Sequence, residues 1–405
     1  MVTKNTFLFI FLFIFLSIRL IGQTKVLDME NCLKENSINP KEYILSLFDN
    51  NDVVIIGERD HRDTTQYDLL LDIFSDKKFI DEVGYIYTEV GCINRTEWAN
   101  QVLKATYEND DEFDKELIEL YRELDFNPLW EKYNMYKYLK GIYSINKQLP
   151  ADKKITIGLT DLSFNWKGMT YKKYQEFNKN IYRKSFSRDS IMAANFIQLY
   201  EKQIIETGKK KALLIQSFPH AINVDLNPYG ANHKTTGSYI IDKYKNKVKI
   251  VVFNSAYLSE SNIKLIDNGR WDFAFEKTGC IPVGFDIKNT PLGITEFEEG
   301  FGLNFKQRLG IEIKFQDIMD GIIFYKPFYE FKPTFGIPNV VDKDFSKELI
   351  RRTIIVQNSF FKRFGLTIIQ PFYKKKNANY YNKVRTFQTY DSNSLKKQMN
   401  KWIEE

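Results

Sequence analysis

The stretch DVVIIGERDH, residues 52–61, decides the fold that we predict for this chain. Residues 53–56 are apolar and β-branched and end at Gly57, which is typical of a strand buried on both faces. Four ionisable residues follow at once, from Glu58 to His61. A buried strand that ends in charged side chains carries them to the edge of a sheet, where ligands bind in open α/β folds. The alternative is an ordinary strand-to-helix turn with solvated charges.

Five further apolar runs have the length and composition of strands. They are residues 85–90, 155–159, 212–215, 248–253 and 320–325. The first three carry Glu89, Asp161 and His220 at or just beyond their ends. Because these strands alternate with helical blocks, we predict an α/β fold with a mostly parallel central sheet flanked by helices.

The regions between and after the strands predict the domain organisation. Residues 95–150 carry apolar side chains at helical spacings and predict a helical insertion in an α/β domain that spans 24–330. An insertion on the ligand side of a sheet often caps a pocket. Residues 331–405 are rich in Lys, Arg, Tyr and Phe and include a lysine run at 374–376. We interpret them as a C-terminal extension with a solvated basic face, the alternative being a patch for an anionic surface.

The composition excludes some classes of protein. The chain has 405 residues, of which 43% are hydrophobic, which is ample for a core and unlike a disordered chain. Its net charge of +6 is mild for this length and argues against a dedicated nucleic-acid binder. The sequence does not indicate an oligomeric state.

The first residues indicate export. Residues 1–23 combine Lys4 with the apolar run 7–18, which is too short to span a bilayer comfortably. This pattern predicts a secretory signal cleaved near residues 22–24, so we expect a periplasmic or extracellular protein that is not integral to the membrane after cleavage. An uncleaved N-terminal anchor is the alternative.

The cysteines point to neither a disulfide framework nor a zinc site. Cys32, Cys92 and Cys280 are the only three, and an odd, sparse count does not form a framework, although one pair stays open. No Cys-x-x-Cys motif occurs, which argues against a thiolate zinc site.

The ionisable residues at the strand ends are expected to form one site, because parallel strands end at the same edge of a sheet. A histidine can take a proton from water, and a neighbouring carboxylate can fix its tautomer and stabilise the imidazolium. The same residue types could instead hold a metal ion. These residues are Glu58, His61, Glu89, Asp161 and His220.

Other catalytic motifs are missing from the sequence. It contains no Gly-x-Ser-x-Gly elbow, no Gly-x-Gly-x-x-Gly or phosphate loop after a strand, and no His-Glu-x-x-His. A nucleophilic serine, a nucleotide-dependent reaction or a zincin mechanism therefore has no support in the sequence.

Several blocks, in the same order, resemble the erythromycin esterase family, whose broader superfamily includes the Tiki-type proteases and the haem-uptake lipoprotein ChaN. The most specific block is RDSIMAANF, residues 188–196, which is similar to the family's Arg-Asp-x-x-Met-Ala-x-Asn helix. The block that begins at His233 is similar to a stretch where the family usually has Met-Gly, and here Thr236 replaces the Met. The other blocks are VVIIGERDH (53–61), YIYTEV (85–90), ITIGLTDL (155–162) and ALLIQSFPHA (212–221).

This resemblance implies an exported hydrolase that cleaves an ester or related acyl bond of a small molecule with His-activated water and requires no cofactor. It implies His61 as the general base, positioned or polarised by Glu58 and Glu89. His220 would orient water or stabilise an oxyanion, and Arg188 would supply positive charge or hold its helix. The site implied by the resemblance comprises Glu58, His61, Glu89, Asp161, Arg188 and His220.

Departures from the family pattern keep other functions open. The family usually has a small hydroxyl residue where Asp60 stands and a glycine where Arg62 stands, so macrolide hydrolysis itself is in doubt. One alternative is a Tiki-type metal-dependent peptidase, and others are a ChaN-type haem or small-ligand binding protein and a non-catalytic relative. A divalent metal, if bound, would use Glu58, His61, Glu89 and His220.

Overall fold

The structure of this protein is a computed structural model. It describes residues 26–36, 38–181, 185–258, 263–297, 299–300, 303–363, 378–386 and 392–404. The signal segment predicted at 1–23 and the lysine run at 374–376 lie outside these residues.

A seven-stranded, mostly parallel sheet flanked by helices confirms the predicted α/β class. Its strands are β1 Val53–Glu58, β2 Tyr85–Cys92, β3 Thr156–Asp161, β4 Ala212–Ser217, β5 Val248–Phe253, β6 Val283–Asp286 and β7 Gly321–Phe324. Their order in the sheet is β3-β2-β4-β1-β5-β7-β6. Six of the strands are the six predicted apolar runs. The seventh strand, β6, was not predicted; it is only four residues long and pairs antiparallel with β7.

The helices surround this sheet in the alternating pattern that the sequence predicts. In chain order they are α1 over 26–35, α2 Pro40–Leu47, α3 Thr65–Phe74, α4 Thr96–Lys104, α5 Asp110–Arg122, α6 Tyr133–Asn146, α7 Tyr171–Ile181, α8 Ser185–Thr207, α9 Phe218–Ala221, α10 Thr236–Tyr244, α11 Arg270–Lys277, α12 Phe305–Leu309, α13 Phe315–Ile318, α14 Lys343–Arg363, α15 Ala378–Asn382 and α16 Ser392–Glu404. The predicted insertion after β2 corresponds to α4, α5 and α6.

The chain divides into two compact units. One unit comprises Leu45–Ile250 and Lys332–Phe387. The other comprises the described residues within Met1–Ile44, Val251–Phe331 and Gln388–Glu405. Every candidate site residue belongs to the first unit.

The strands of the first unit end at one edge of the sheet because they run parallel and in register. β1 pairs with β4 from Val53 opposite Ala212 to Glu58 opposite Ser217. β2 pairs in parallel with both β3 and β4. All six residues of β1 are buried, as the unbroken apolar run predicts.

The first residues after 331 join the loop that follows β1. The backbone N–H of Lys332 donates to Asp63 Oδ1 over 3.1 Å, and that of Thr334 donates to the carbonyl of Arg62 over 2.8 Å. Farther on, the buried guanidinium of Arg352 on α14 donates to the carbonyl of Arg122 and to Glu123, at the end of α5. Tertiary hydrogen bonds thus make this part of the predicted extension integral to the first unit.

Within the described residues, no helix combines the length and apolar character that crossing a membrane requires. Cys32, Cys92 and Cys280 are all free thiols, so the disulfide pair left open by the sequence is not formed.

Candidate active site

The imidazole of His61 lies between two buried carboxylates. Its Nε2 is 2.8 Å from Glu89 Oε1, and its Nδ1 is 3.3 Å from Glu58 Oε1. Glu58 ends β1 and Glu89 lies on β2, so the parallel strands on either side of β4 deliver both acids to one edge. The side chain of His61 remains 21% exposed, which leaves the ring accessible from solvent.

These contacts determine the charge of the His61 ring. Burial by itself would lower the pKa of His61, but the negative charges of Glu58 and Glu89 outweigh it and raise the pKa to about 10. Burial likewise opposes ionisation of Glu89. At the acidic pH where Glu89 titrates, however, His220, His61 and Arg188 are all cationic and hold its pKa well below the usual range. At neutral pH the site therefore contains an imidazolium beside an ionised Glu89.

The second oxygen of Glu89 connects this centre to the next strand. Glu89 Oε2 accepts hydrogen bonds from the backbone N–H of Ser217 over 3.1 Å and from its hydroxyl over 3.3 Å. Ser217 ends β4 and precedes α9, the short helix that carries His220. Glu89 thus contacts His61 through Oε1 and, through Oε2, Ser217, which lies just before the helix that carries His220.

Glu58 is held by Gln66, a residue that the sequence analysis missed. The fully buried amide of Gln66 on α3 donates to Glu58 Oε2 over 3.2 Å and to the carbonyl of Asp60 over 2.8 Å. Its oxygen accepts from the backbone N–H of Arg59 over 3.0 Å. One amide side chain therefore fixes the backbone between the strand end and His61.

The second histidine, His220, has a different pair of neighbours. Its Nδ1 is 2.8 Å from Asp189 Oδ1, and its Nε2 is 3.4 Å from Nη1 of Arg188. Asp189 is buried and also accepts from the backbone N–H of Thr236 over 2.9 Å and from its hydroxyl over 2.8 Å. The carboxylate is therefore anchored by the first residue of α10 while it holds the imidazole.

Asp189 was absent from the predicted site, although its signal was present. It follows Arg188 directly in the block RDSIMAANF, whose resemblance was noted as a whole. Burial lowers the pKa of His220, but Glu89 and Asp189 together raise it above its ordinary value. The carboxylates of Glu89 and Asp189 thus act on the same imidazole from different elements.

Arg188 joins the end of β3 to this cluster. Its Nε is 3.1 Å from Asp161 Oδ1 and its Nη2 is 2.8 Å from Asp161 Oδ2, a fork-to-fork ion pair. Asn195 lies about two helical turns beyond Arg188 on α8. Its side-chain amide donates to the carbonyls of Thr160 and Asp161 over 2.9 and 3.1 Å. These bonds position α8 so that the guanidinium reaches His220.

The loop between α5 and α6 contacts the site through two aromatic side chains. The ring of Trp130 meets that of His61 edge to face with 5.5 Å between centroids, and Phe126 lies 5.9 Å from the Arg188 guanidinium. The indole N–H of Trp166 donates to the carbonyl of Asp125 over 2.9 Å. Burial and the charge of Asp161 raise the pKa of Asp125 to about 6.

The two departures from the family pattern form an ion pair with each other. Arg62 Nε is 2.8 Å from Asp60 Oδ1, and its Nη2 donates to Asp60 Oδ2. Burial opposes ionisation of Asp60, but the hydrogen bonds from Arg62 lower its pKa. The charge that Arg62 brings to this loop is therefore compensated by the residue two positions before it.

All predicted site residues lie in this cluster, linked through Glu89, Arg188 and the two imidazoles. His233 is buried, burial lowers its pKa, and the charges of Asp189 and His220 also act on its ring. Among the described residues, no group of three or more His, Cys, Asp or Glu side chains has an arrangement that would hold a metal ion. We therefore assign no metal-ligand set from the described residues.

The raised pKa of His61 predicts a pH dependence of stability. A group whose pKa is about 10 in the folded chain and 6.5 in the unfolded chain stabilises fully below pH 6.5, and its contribution is lost as the pH rises towards 10. Over that window the free energy of unfolding should fall by up to about 1.4 kcal/mol per pH unit. Urea unfolding of wild type and His61→Gln should show the steeper fall in wild type. If the free energy of unfolding falls equally with pH in the two proteins, His61 is not held as an imidazolium.

Comparisons with known proteins found structural similarity but no significant sequence match. No family profile matches the sequence, and no curated protein matches it at a significant level. A solved protein from Bacillus cereus is similar with a TM-score of 0.48 at 10% identity, covering 74% of this chain and 96% of that chain. An erythromycin esterase variant, EreC in its open conformation, is similar with a TM-score of 0.42 at 11% identity, covering 70% and 92%.

ChaN of Campylobacter jejuni, solved with cofacially bound haem, has a TM-score of 0.31 at 11% identity, covering 54% of this chain and 87% of its own. At such identities the likeness concerns the fold alone. Neither esterase activity nor haem binding follows for this chain from these comparisons.

Proposed function

We propose that this protein is a hydrolase that cleaves an ester or related acyl bond of a small molecule with water activated by a histidine. The observation that carries the proposal is the pair of imidazoles, His61 and His220, placed on two sides of Glu89 and each bonded to a buried carboxylate. Ester hydrolysis needs a base for water and positive charge for the oxyanion, and this cluster contains both.

The cationic groups in the cluster suit the charge that develops during acyl transfer. A tetrahedral intermediate places negative charge on the former carbonyl oxygen, and a fixed imidazolium or guanidinium stabilises it more than it stabilises the neutral substrate. His61 and Arg188 are held in place by Glu89 and Asp161 respectively, so neither must reorganise during the reaction.

The aromatic side chains beside the imidazoles favour an organic acyl substrate. Trp130 and Phe126 bring ring surface next to His61 and Arg188. Apolar surface with a few fixed polar groups is the usual lining of a small-molecule site. The proposal needs no cofactor, because side chains fill each role, and with the N-terminal targeting pattern it places the enzyme outside the cytosol.

A panel of p-nitrophenyl esters of increasing acyl length, together with a macrolide lactone, tests the proposal. We expect turnover of at least one ester by wild type, and a loss of roughly 10³-fold in kcat for His61→Ala, because the fixed cation is removed. Circular dichroism would confirm that the variant is folded. Equal turnover by both proteins would remove the proposal.

A further inference from the structure

The neighbours of His61 allow only one protonation state without a repulsive contact. Both ring nitrogens face carboxylate oxygens: Nε2 lies 2.8 Å from Glu89, and Nδ1 lies 3.3 Å from Glu58 in an ion-pair contact that lacks hydrogen-bond alignment. A neutral imidazole would direct one lone pair at a carboxylate oxygen, whereas an imidazolium offers an N–H to each. A ring in that state has no free lone pair with which to take a proton from water.

The neighbours of His220 require a different state. Asp189 Oδ1, at 2.8 Å from Nδ1, is an acceptor and calls for an N–H on that nitrogen. The Arg188 guanidinium, with its Nη1 at 3.4 Å from Nε2, is a donor and has no lone pair to offer. The neutral tautomer with the proton on Nδ1 satisfies both contacts. The lone pair of Nε2 then accepts only the long 3.4 Å contact from Arg188, which a water must replace before Nε2 takes its proton.

We propose that Nε2 of His220, oriented by Asp189, is the base that takes the proton from water, and that His61 serves as a fixed cation. This inference rests on the proposed hydrolytic function. It reverses the roles that the family resemblance implies for the two histidines, and it adds Asp189 as a positioning residue.

The reaction balances with these groups alone. As the water oxygen bonds to the acyl carbon, one water proton passes to Nε2 of His220 and the carbonyl π electrons move to oxygen. The resulting oxyanion is opposite in charge to His61 and Arg188. When the oxyanion collapses, the bond to the leaving alkoxide breaks and the alkoxide takes the proton from Nε2. Ester and water thus give acid and alcohol, and His220 returns to its neutral state.

Asp189 is suited to this role because it cannot turn away from the ring. Its Oδ1 accepts from both the N–H and the hydroxyl of Thr236, and its side chain is buried. An imidazole whose Nδ1–H is bonded to a fixed carboxylate keeps one tautomer and gains basicity at the other nitrogen.

The protonation states can be measured directly, because the chain contains only three histidines. Nitrogen-15 NMR of protein labelled on histidine, at a pH of about 8, reports which ring nitrogens carry protons. The resonances would be assigned with His61→Asn, His220→Asn and His233→Asn. We expect two protonated nitrogens for His61, and for His220 a protonated Nδ1 beside a bare Nε2. Any other pattern for either ring overturns the inference.

A variant adds a functional readout. Asp189→Ala should move the remaining proton of His220 towards Nε2 and lower kcat by about 10³- to 10⁴-fold, as expected when a catalytic imidazole has the wrong tautomer. The matched control is Asp225→Ala, because the carboxylate of Asp225 pairs with Lys234 instead. An unchanged tautomer and kcat in Asp189→Ala would overturn the inference.

The two proposals fail in different ways. If wild type hydrolyses no ester, the proposed function fails, while the NMR measurement still reports the states of both rings. If hydrolysis is observed but His61 is neutral, or Nε2 of His220 carries the proton, only the assignment of the base is wrong.

Discussion

Replacing His220 by Asn should lower kcat for ester hydrolysis by about 10³-fold and change KM by less than about threefold. Asn keeps a polar side chain of similar reach but has no group that can accept and return a proton near neutral pH. The loss should fall on kcat because the proton is transferred during the chemical step and not during binding. Steady-state kinetics with the best ester of the panel would measure both constants.

His233→Asn is the matched control for that experiment. It removes the third imidazole, which is buried within electrostatic reach of Asp189 and His220 but is assigned no step of the reaction. It should therefore change kcat by only about threefold, far less than His220→Asn does. The double variant His61→Ala/His220→Asn should lose little more than His220→Asn alone, because groups that act on one step are not additive. Full turnover by His220→Asn would rule out His220 as the base.

Gly237→Ala should strongly destabilise the first unit. A Cβ atom on Gly237 would lie 1.9 Å from the carbonyl oxygen of Ala221 and 3.0 Å from that of Ile222. Both obstacles are backbone atoms, so α10 would have to move away from α9, at a cost of about 3 kcal/mol. The same shift would pull Thr236 from Asp189 and release the imidazole of His220. We therefore expect a lower urea midpoint and a loss of hydrolysis together.

Ser238→Ala provides the comparison for Gly237→Ala. Ser238 is the next residue of α10 and is also buried, but the change removes an oxygen and adds no atom near a carbonyl. Its effect on stability should stay near 1 kcal/mol. If Gly237→Ala unfolds at the same urea concentration as wild type, α10 does not pack closely against the carbonyl of Ala221.

The contact between α9 and α10 gives Thr236 and Gly237 separate structural roles. The glycine is required by the approach of α10 to the carbonyl of Ala221, whatever residue precedes it. Thr236 instead uses its own hydroxyl to bind Asp189, which a methionine could not do.

The sequence by itself determined the strands and the edge at which they end. Apolar runs such as 53–56 and 212–215 favour strands buried on both faces, and their alternation with helices favours a parallel sheet. Parallel strands that end in Glu58, Glu89 and near His220 predict that these three side chains share one edge of the sheet. It did not find β6, because a four-residue strand beside a proline has too few residues to show a pattern.

Only the tertiary structure decided which side chain faces which nitrogen. Gln66 on α3, Asp189 on α8 and Trp130 in the insertion reach the imidazoles from elements far apart in the chain. Hydrophobic periodicity reports which face of an element is buried, but a hydrogen bond depends on the rotamer and approach of a distant partner. For that reason the sequence could name both histidines as catalytic candidates, whereas their contacts were needed to distinguish the cation His61 from the base His220.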